Sequence, residues 1–150
     1  MKYLALILLM APVLVKANTI EITYFLKSMH LAKKNYAGES FNTEHKFIGA
    51  EYRLGNNGIA ASTFINSFYV RSYMVDYARY WRPYKNNIEA SFRVGVATGY
   101  TKPDECLSNE KSVKICPVVS FGVAYTGSDY FIPKISIIPK AATFSLSFRF

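Results

Sequence analysis

Hydrophobicity in this chain repeats every second residue, and no other feature constrains its fold so tightly. From Asn87 to Tyr100, the residues Ile88, Ala90, Phe92, Val94, Val96, Thr98 and Tyr100 share one face. Glu89, Ser91, Arg93, Gly95, Ala97 and Gly99 share the other. Val118 to Thr126 sets Val119, Phe121, Val123 and Tyr125 against Ser120, Gly122 and Ala124, and the final stretch sets Phe144, Leu146, Phe148 and Phe150 against Thr143, Ser145, Ser147 and Arg149. Successive strand side chains point to opposite faces, so a period of two is a strand signal. Helical periodicity is hard to find.

The volumes on the two faces say which one is inside. A water-soluble barrel or sandwich turns its greasy face inward, but here that face carries large aromatics and the other carries small residues and charges. They fit better reversed, with bulky groups toward lipid and Gly, Ala, Ser, Arg and Glu lining the interior, as in outer-membrane proteins. Aromatics at strand ends suit the interfacial girdles. In lipid only a closed sheet satisfies its backbone, so the strands must close. The expected fold is all-β, an eight-stranded antiparallel transmembrane β-barrel. Its strands are expected at Thr19–Ser28, Lys46–Leu54, Ile59–Ser67, Arg71–Trp81, Ile88–Tyr100, Pro117–Thr126, Tyr130–Ile137 and Ala142–Phe150, with a local break at Pro133. The closing strand ending in Phe150 is of the kind that outer-membrane assembly machinery reads.

Residues 1–17 stand apart. Lys2 supplies a positive start, Leu4 to Val15 is apolar, and Val15-Lys16-Ala17 resembles a small-residue cleavage site. This is a secretory signal peptide, too short to span a bilayer, which needs about 20 residues. The barrel domain is then 18–150. Loss of Lys2 and Lys16 takes the formal charge from +8 to +6. Export makes nucleic acid an implausible partner for this basic chain. Membrane lipids fit instead, with Lys33, Lys34, Lys102, Lys111 and Lys114 facing lipopolysaccharide phosphates from the loops. Cys106 and Cys116, in an exported chain, are expected to form a disulfide. No cofactor and no metal is expected, and the barrel is expected to be a monomer.

Strand direction places the candidate chemistry. With both termini periplasmic, Gly55–Gly58, Arg82–Asn87 and Gly127–Asp129 are periplasmic turns, and Leu31–His45 and Thr101–Cys116 are extracellular loops. An up-down-up path brings His30 and Asn66-Ser67 to one extracellular rim. His30 can act as a base near neutral pH and Ser67 as a nucleophile or hydrogen-bonding group. Asn66 can donate to an oxyanion but cannot act as a carboxylate beside imidazolium. The bland reading is a solvated histidine and an ordinary serine at a strand end. His45, at the far end of the same loop, is read as solvated. Glu51, Arg53, Glu89, Arg93 and Arg149 point into the lumen by alternation and are read as charge pairs that fill a narrow barrel.

Along the mature chain, these residues resemble the lipid A palmitoyltransferases of the Gram-negative outer membrane. His30 falls where that family has its catalytic histidine. Phe64-Ile65-Asn66-Ser67-Phe68 is similar to its Phe-x-Asp-Ser-Phe, and Trp81-Arg82-Pro83 matches a Trp-Arg-Pro at the same turn. The strands at Asn87–Tyr100, Val118–Gly127 and Phe144–Phe150 follow in the family's order. The resemblance implies an acyltransferase that moves a palmitoyl or similar chain from phospholipid to lipid A, with His30, Asn66 and Ser67 at the site. The chain departs from the pattern in three ways. Asn66 replaces an aspartate, no room precedes the first strand for an amphipathic helix, and the interval from Ser67 to Trp81 is too short to place the glycine that sets acyl length. One register puts Asp76 near it, which disfavours a long apolar chain. Aspartate at position 66 is expected to raise activity or leave it unchanged.

Two other readings stand beside the enzyme. One is a non-enzymatic small outer-membrane barrel that remodels or masks the cell surface, for instance one carried by a phage or mobile element. The other is a pore, disfavoured because side chains fill an interior of about eight strands.

Overall fold

The structure is a computed structural model that describes residues 18–31, 38, 40–82, 87–100 and 115–150. Eight strands follow in order: β1 (Thr19–His30), β2 (Ile48–Leu54), β3 (Asn57–Ile65), β4 (Arg71–Trp81), β5 (Ile88–Thr98), β6 (Ile115–Tyr125), β7 (Phe131–Ile138) and β8 (Ala141–Arg149). Each is antiparallel to the next, and β8 pairs back onto β1, from Glu21↔Arg149 to His30↔Ala141, to close the barrel. No helix occurs among the described residues. Residues 1–17, where a signal peptide is expected, the lysines expected in the extracellular loops, and Cys106 lie outside them.

The barrel is apolar outside and polar inside, as the alternation requires. Tyr24, Ile59, Tyr73 and Ile137 on the outer face are each more than 60% exposed. Glu21, Glu51, Arg53, Asp76, Glu89 and Lys134 on the inner face are buried. In water so large a contiguous apolar surface would drive association. Against lipid tails it is in its preferred solvent, and the fold is a transmembrane β-barrel.

Several boundaries differ from those expected. β1 runs to His30, so this histidine is the last residue of a strand. β3 starts at Asn57 and ends at Ile65, so Asn57 and Gly58 belong to the ladder and Asn66-Ser67 to the turn above it. The turn itself is Gly55-Asn56, with Gly55 at φ 58°, a conformation that glycine adopts without a Cβ penalty. β7 is continuous through Pro133, but its ladder with β6 stops at Ala124↔Lys134, one residue short of it. The local break therefore falls between strands rather than within one, because proline lacks the N–H that the next ladder bond would use.

β2 is the short wall. Its pairing with β1 ends at Tyr24↔Ile48, although β1 and β3 both rise further. The chain fills that gap with residues 42–45. Ser28 N donates to Thr43 O (2.9 Å), His45 N to Leu26 O (3.0 Å), Ile65 N to His45 O (2.6 Å) and Asn42 N to Ser67 O (2.9 Å). This irregular segment satisfies the sheet edges of β1 and β3 at once, and it is pinned to the inner rim.

Candidate functional site

An irregularity in β1 decides what faces the site. Glu21 and Thr23 point inward, and strict alternation would continue at Lys27 and Met29. Instead the register with β8 jumps from Tyr24↔Leu146 to Leu26↔Ser145. One extra residue in a strand reverses the parity above it. Leu26, Ser28 and His30 therefore line the interior, while Lys27 and Met29 are exposed.

The interior holds an open space of about 170 Å³. His30, His45, Ser67 and Tyr100 stand at its mouth, with Leu26, Phe47, Phe64 and Met74 among the residues below. Its deep end is polar, where Glu51, Asp76, Arg93 and Lys134 meet. At the mouth the His30 ring stacks on Phe41 (centroids 4.3 Å, 15°), Phe41 meets Phe68 edge-on at 5.8 Å, and Phe68 meets Tyr100 at 6.3 Å. This aromatic collar fixes the plane of the imidazole.

His30 and Ser67 come together, as strand direction predicts: Ser67 Oγ lies 3.2 Å from His30 Nε2. Asn66 does not join them. Its Oδ1 accepts from Phe68 N (2.8 Å) and Val70 N (3.0 Å), and its Nδ2 donates to Gly99 O (3.0 Å). It is fully buried and ties the β3–β4 turn to the end of β5.

His45 is not solvated; it is 4% exposed. Because residues 42–45 fill the gap between β1 and β3, its ring is carried inward. Nδ1 lies 2.7 Å from Ile65 O and Nε2 lies 2.7 Å from Ser28 Oγ. Ser28 Oγ is also 3.0 Å from His30 Nε2. A carbonyl only accepts, so His45 carries its proton on Nδ1 and offers a lone pair at Nε2. Burial pushes this imidazole below its ordinary range, opposed by the Ile65 carbonyl and reinforced by nearby His30.

Charge pairing fills the lower barrel, as the alternation predicts for Glu51, Arg53, Glu89, Arg93 and Arg149. Glu21 is the hub of one cluster, receiving Arg53 (2.7 Å), Lys134 (2.6 Å) and Arg149 (2.6 Å). Arg53 also reaches Glu89 (2.9 Å) and lies over the Tyr80 ring at 3.6 Å. Arg93 is the hub of the other, holding Glu51 (2.9 Å) and Asp76 (2.7 Å) and bonding Tyr80 Oη (2.9 Å). Asp76 faces the cavity and pairs across the ladder with Gly95, where an added Cβ would come within 2.5 Å of the Asp76 Cβ. Alternation alone could have found Glu21 and Lys134, which share the polar parity of their strands. No pattern marks Ser28 or His45, because their positions depend on the bulge and the gap. No cluster of three or more metal-ligating side chains occurs among the described residues.

A closed eight-stranded barrel with an apolar wall, a charged core and a small polar-mouthed cavity defines a class, the small transmembrane β-barrels. Solved structures agree with that placement. The chain is similar to a de novo designed transmembrane β-barrel over 91% of its own length and 100% of the other's, with a TM-score of 0.61 and 9% identity. It is also similar to the N-terminal β-barrel domain of OprF from Pseudomonas aeruginosa, covering 88% of this chain and 97% of that one, with a TM-score of 0.55 and 13% identity. At such identities the likeness is one of fold alone. Neither protein-family models nor curated protein sequences match the chain.

Proposed function

We propose that this chain is an outer-membrane acyltransferase, exported through a cleaved signal peptide and acting on the membrane lipids around it. It moves an acyl chain from a phospholipid to a hydroxyl of lipid A or a related lipid, as the resemblance of its motifs implies. One observation carries the reading: Ser67 Oγ stands 3.2 Å from His30 Nε2 at the mouth of an interior cavity. A hydroxyl and an imidazole at hydrogen-bond distance are the minimum for acyl transfer, with His30 taking the proton as Ser67 Oγ attacks the ester carbonyl. Asn66 holds the turn that carries Ser67.

The cavity bears on the chain that is moved. Its space of about 170 Å³ is below the roughly 300–1,000 Å³ of common small-molecule sites. The paired charges at its deep end disfavour further apolar depth. A short acyl chain therefore suits this interior better than palmitate.

The test is mass spectrometry of lipid A from cells with and without the protein, together with its His30→Ala and Ser67→Ala variants. An added acyl mass that needs both residues supports the reading. An unchanged lipid profile, from cells whose outer-membrane fraction contains a heat-modifiable barrel, would sink it and favour the non-enzymatic surface barrel.

A further inference from the structure

The two histidines of the chain converge on one serine. Ser28 Oγ lies 2.7 Å from His45 Nε2 and 3.0 Å from His30 Nε2, and its hydroxyl has one proton to give. With His45 protonated on Nδ1 toward Ile65 O, its Nε2 is an acceptor at the shorter of the two distances, so the Ser28 proton goes there. In the acyl-transfer reading His30 Nε2 is the acceptor for Ser67, whose Oγ lies 3.2 Å away. In this neutral state the 3.0 Å contact between Ser28 Oγ and His30 Nε2 has no proton in it.

Proton transfer changes that. When His30 takes the Ser67 proton, the O–H bond breaks, an Nε2–H bond forms, and the positive charge stays on His30. The new N–H can donate to Ser28 Oγ while Ser28 still donates to His45 Nε2, so every atom of the chain is satisfied. We propose that Ser28 and His45 are positioning residues that stabilise the His30 imidazolium at Nε2, the same ring nitrogen that accepts the Ser67 proton. The proposal rests on the acyl-transfer reading for its consequence, but not for its geometry. A hydrogen bond present in the charged state and absent in the neutral one lowers a barrier rather than merely tightening the ground state. His30 later returns the proton to the leaving oxygen, and the Ser28 O–H bond never breaks.

Among the described residues, the other charged side chains near this group point to solvent. Lys27 on β1, Glu44 and Lys46 on the gap-filling segment, and Lys140 in the β7–β8 turn are all exposed. Asn66 and Ser67 from the β3–β4 turn are neutral.

The experiment uses the full mature chain refolded in detergent micelles, with Ser28→Ala, His45→Leu and His45→Gln variants, each checked for the heat-modifiable folded form. With only two histidines, nitrogen-15 spectra of the imidazoles resolve both tautomers. His45 should carry its proton on Nδ1, and protonation of either ring should shift the resonances of the other, a coupling that Ser28→Ala reduces to the direct charge effect between the rings. Turnover of p-nitrophenyl hexanoate against pH is the second readout. Ser28→Ala and His45→Leu should lower the plateau rate by about 10- to 100-fold, the scale of one charge-assisted hydrogen bond. Both should also move the acid limb to lower pH, since an imidazolium with less support loses its proton more readily. His45→Gln keeps an acceptor for Ser28 and should recover part of the rate. A lowered plateau with an unmoved acid limb in both variants would reduce the pair to packing and overturn the proposal. So would a His45 proton on Nε2. Absence of ester turnover by the parent counts against the acyl-transfer reading, and the imidazole spectra then decide the relay by themselves.

Discussion

Ser67 Oγ and His30 Nε2 meet at 3.2 Å although 37 residues separate them in the chain. Two strands rising to one rim bring them there, and neither residue fills the charged core below. His30→Ala and Ser67→Ala should each abolish acyl transfer, a loss of three or more orders of magnitude on the pattern of related triads (roughly 10³–10⁴-fold or more). Both variants should still give the heat-modifiable band of a folded barrel. Acyl transfer at the parental rate by either one would remove the pair from the mechanism.

Asn66→Asp should not repair the site. The amide Nδ2 donates to Gly99 O, and a carboxylate there would set an acceptor against an acceptor while keeping the bonds to Phe68 N and Val70 N. Of the two outcomes expected for aspartate at position 66, a raised or an unchanged rate, these bonds favour the unchanged one. Loss of the buried donor should cost about 1–3 kcal/mol, read as a lower urea midpoint, with no gain in rate. A faster enzyme at undiminished stability would show that the turn rotates to face His30.

Arg93→Ala should be the most damaging change in the lower barrel. It would leave Glu51 and Asp76 side by side and unpaired, with Tyr80 Oη losing a donor. Breaking a buried pair in this way costs about 3–5 kcal/mol. Equilibrium unfolding in urea measures it. Arg93→Lys should recover only part, because an ammonium cannot reproduce the fork that spans both carboxylates. A midpoint unchanged by the alanine would mean that water screens the two acids.

Acid should weaken the fold through His45. Burial holds its folded pKa below the ordinary value, so the unfolded chain binds the proton first as pH falls. The stability at stake is complete above the ordinary imidazole pKa of about 6.5 and declines as pH drops through and below it. Between about pH 7.5 and about pH 5.5, the urea midpoint of the parent should fall more than that of His45→Gln. Equal slopes would place the titration elsewhere.

The cysteine expectation is tested by chemistry. Cys116 is buried on β6 opposite Ala97, and Cys106 lies outside the described residues. A non-reduced digest should yield one cross-linked peptide joining them, and reduction should lower stability by about 2–3 kcal/mol, the chain-entropy scale for so short a loop. Two alkylatable thiols in the unreduced protein would refute the pairing.

The alternation by itself determined the closed all-β fold, the inside-out polarity, the eight strands and the pairing of lumen charges such as Glu51 with Arg93. A period of two is local, and it survives any details of the loops. Strand direction, also local, was enough to bring His30 and Ser67 to one rim. Tertiary structure decided the rest of the site. Strict parity from Glu21 would turn His30 and Ser28 into lipid, and only the extra residue in β1 between Tyr24 and Leu26, visible in the register with β8, turns them inward. His45 reads as a loop residue until β2 proves too short to reach the rim and residues 42–45 take its place between β1 and β3. Asn66 reads as a partner of Ser67 until its amide is found on the backbone of the turn. All three outcomes depend on which backbone groups lack partners after the ladder has formed, a property of the closed sheet rather than of any segment in it.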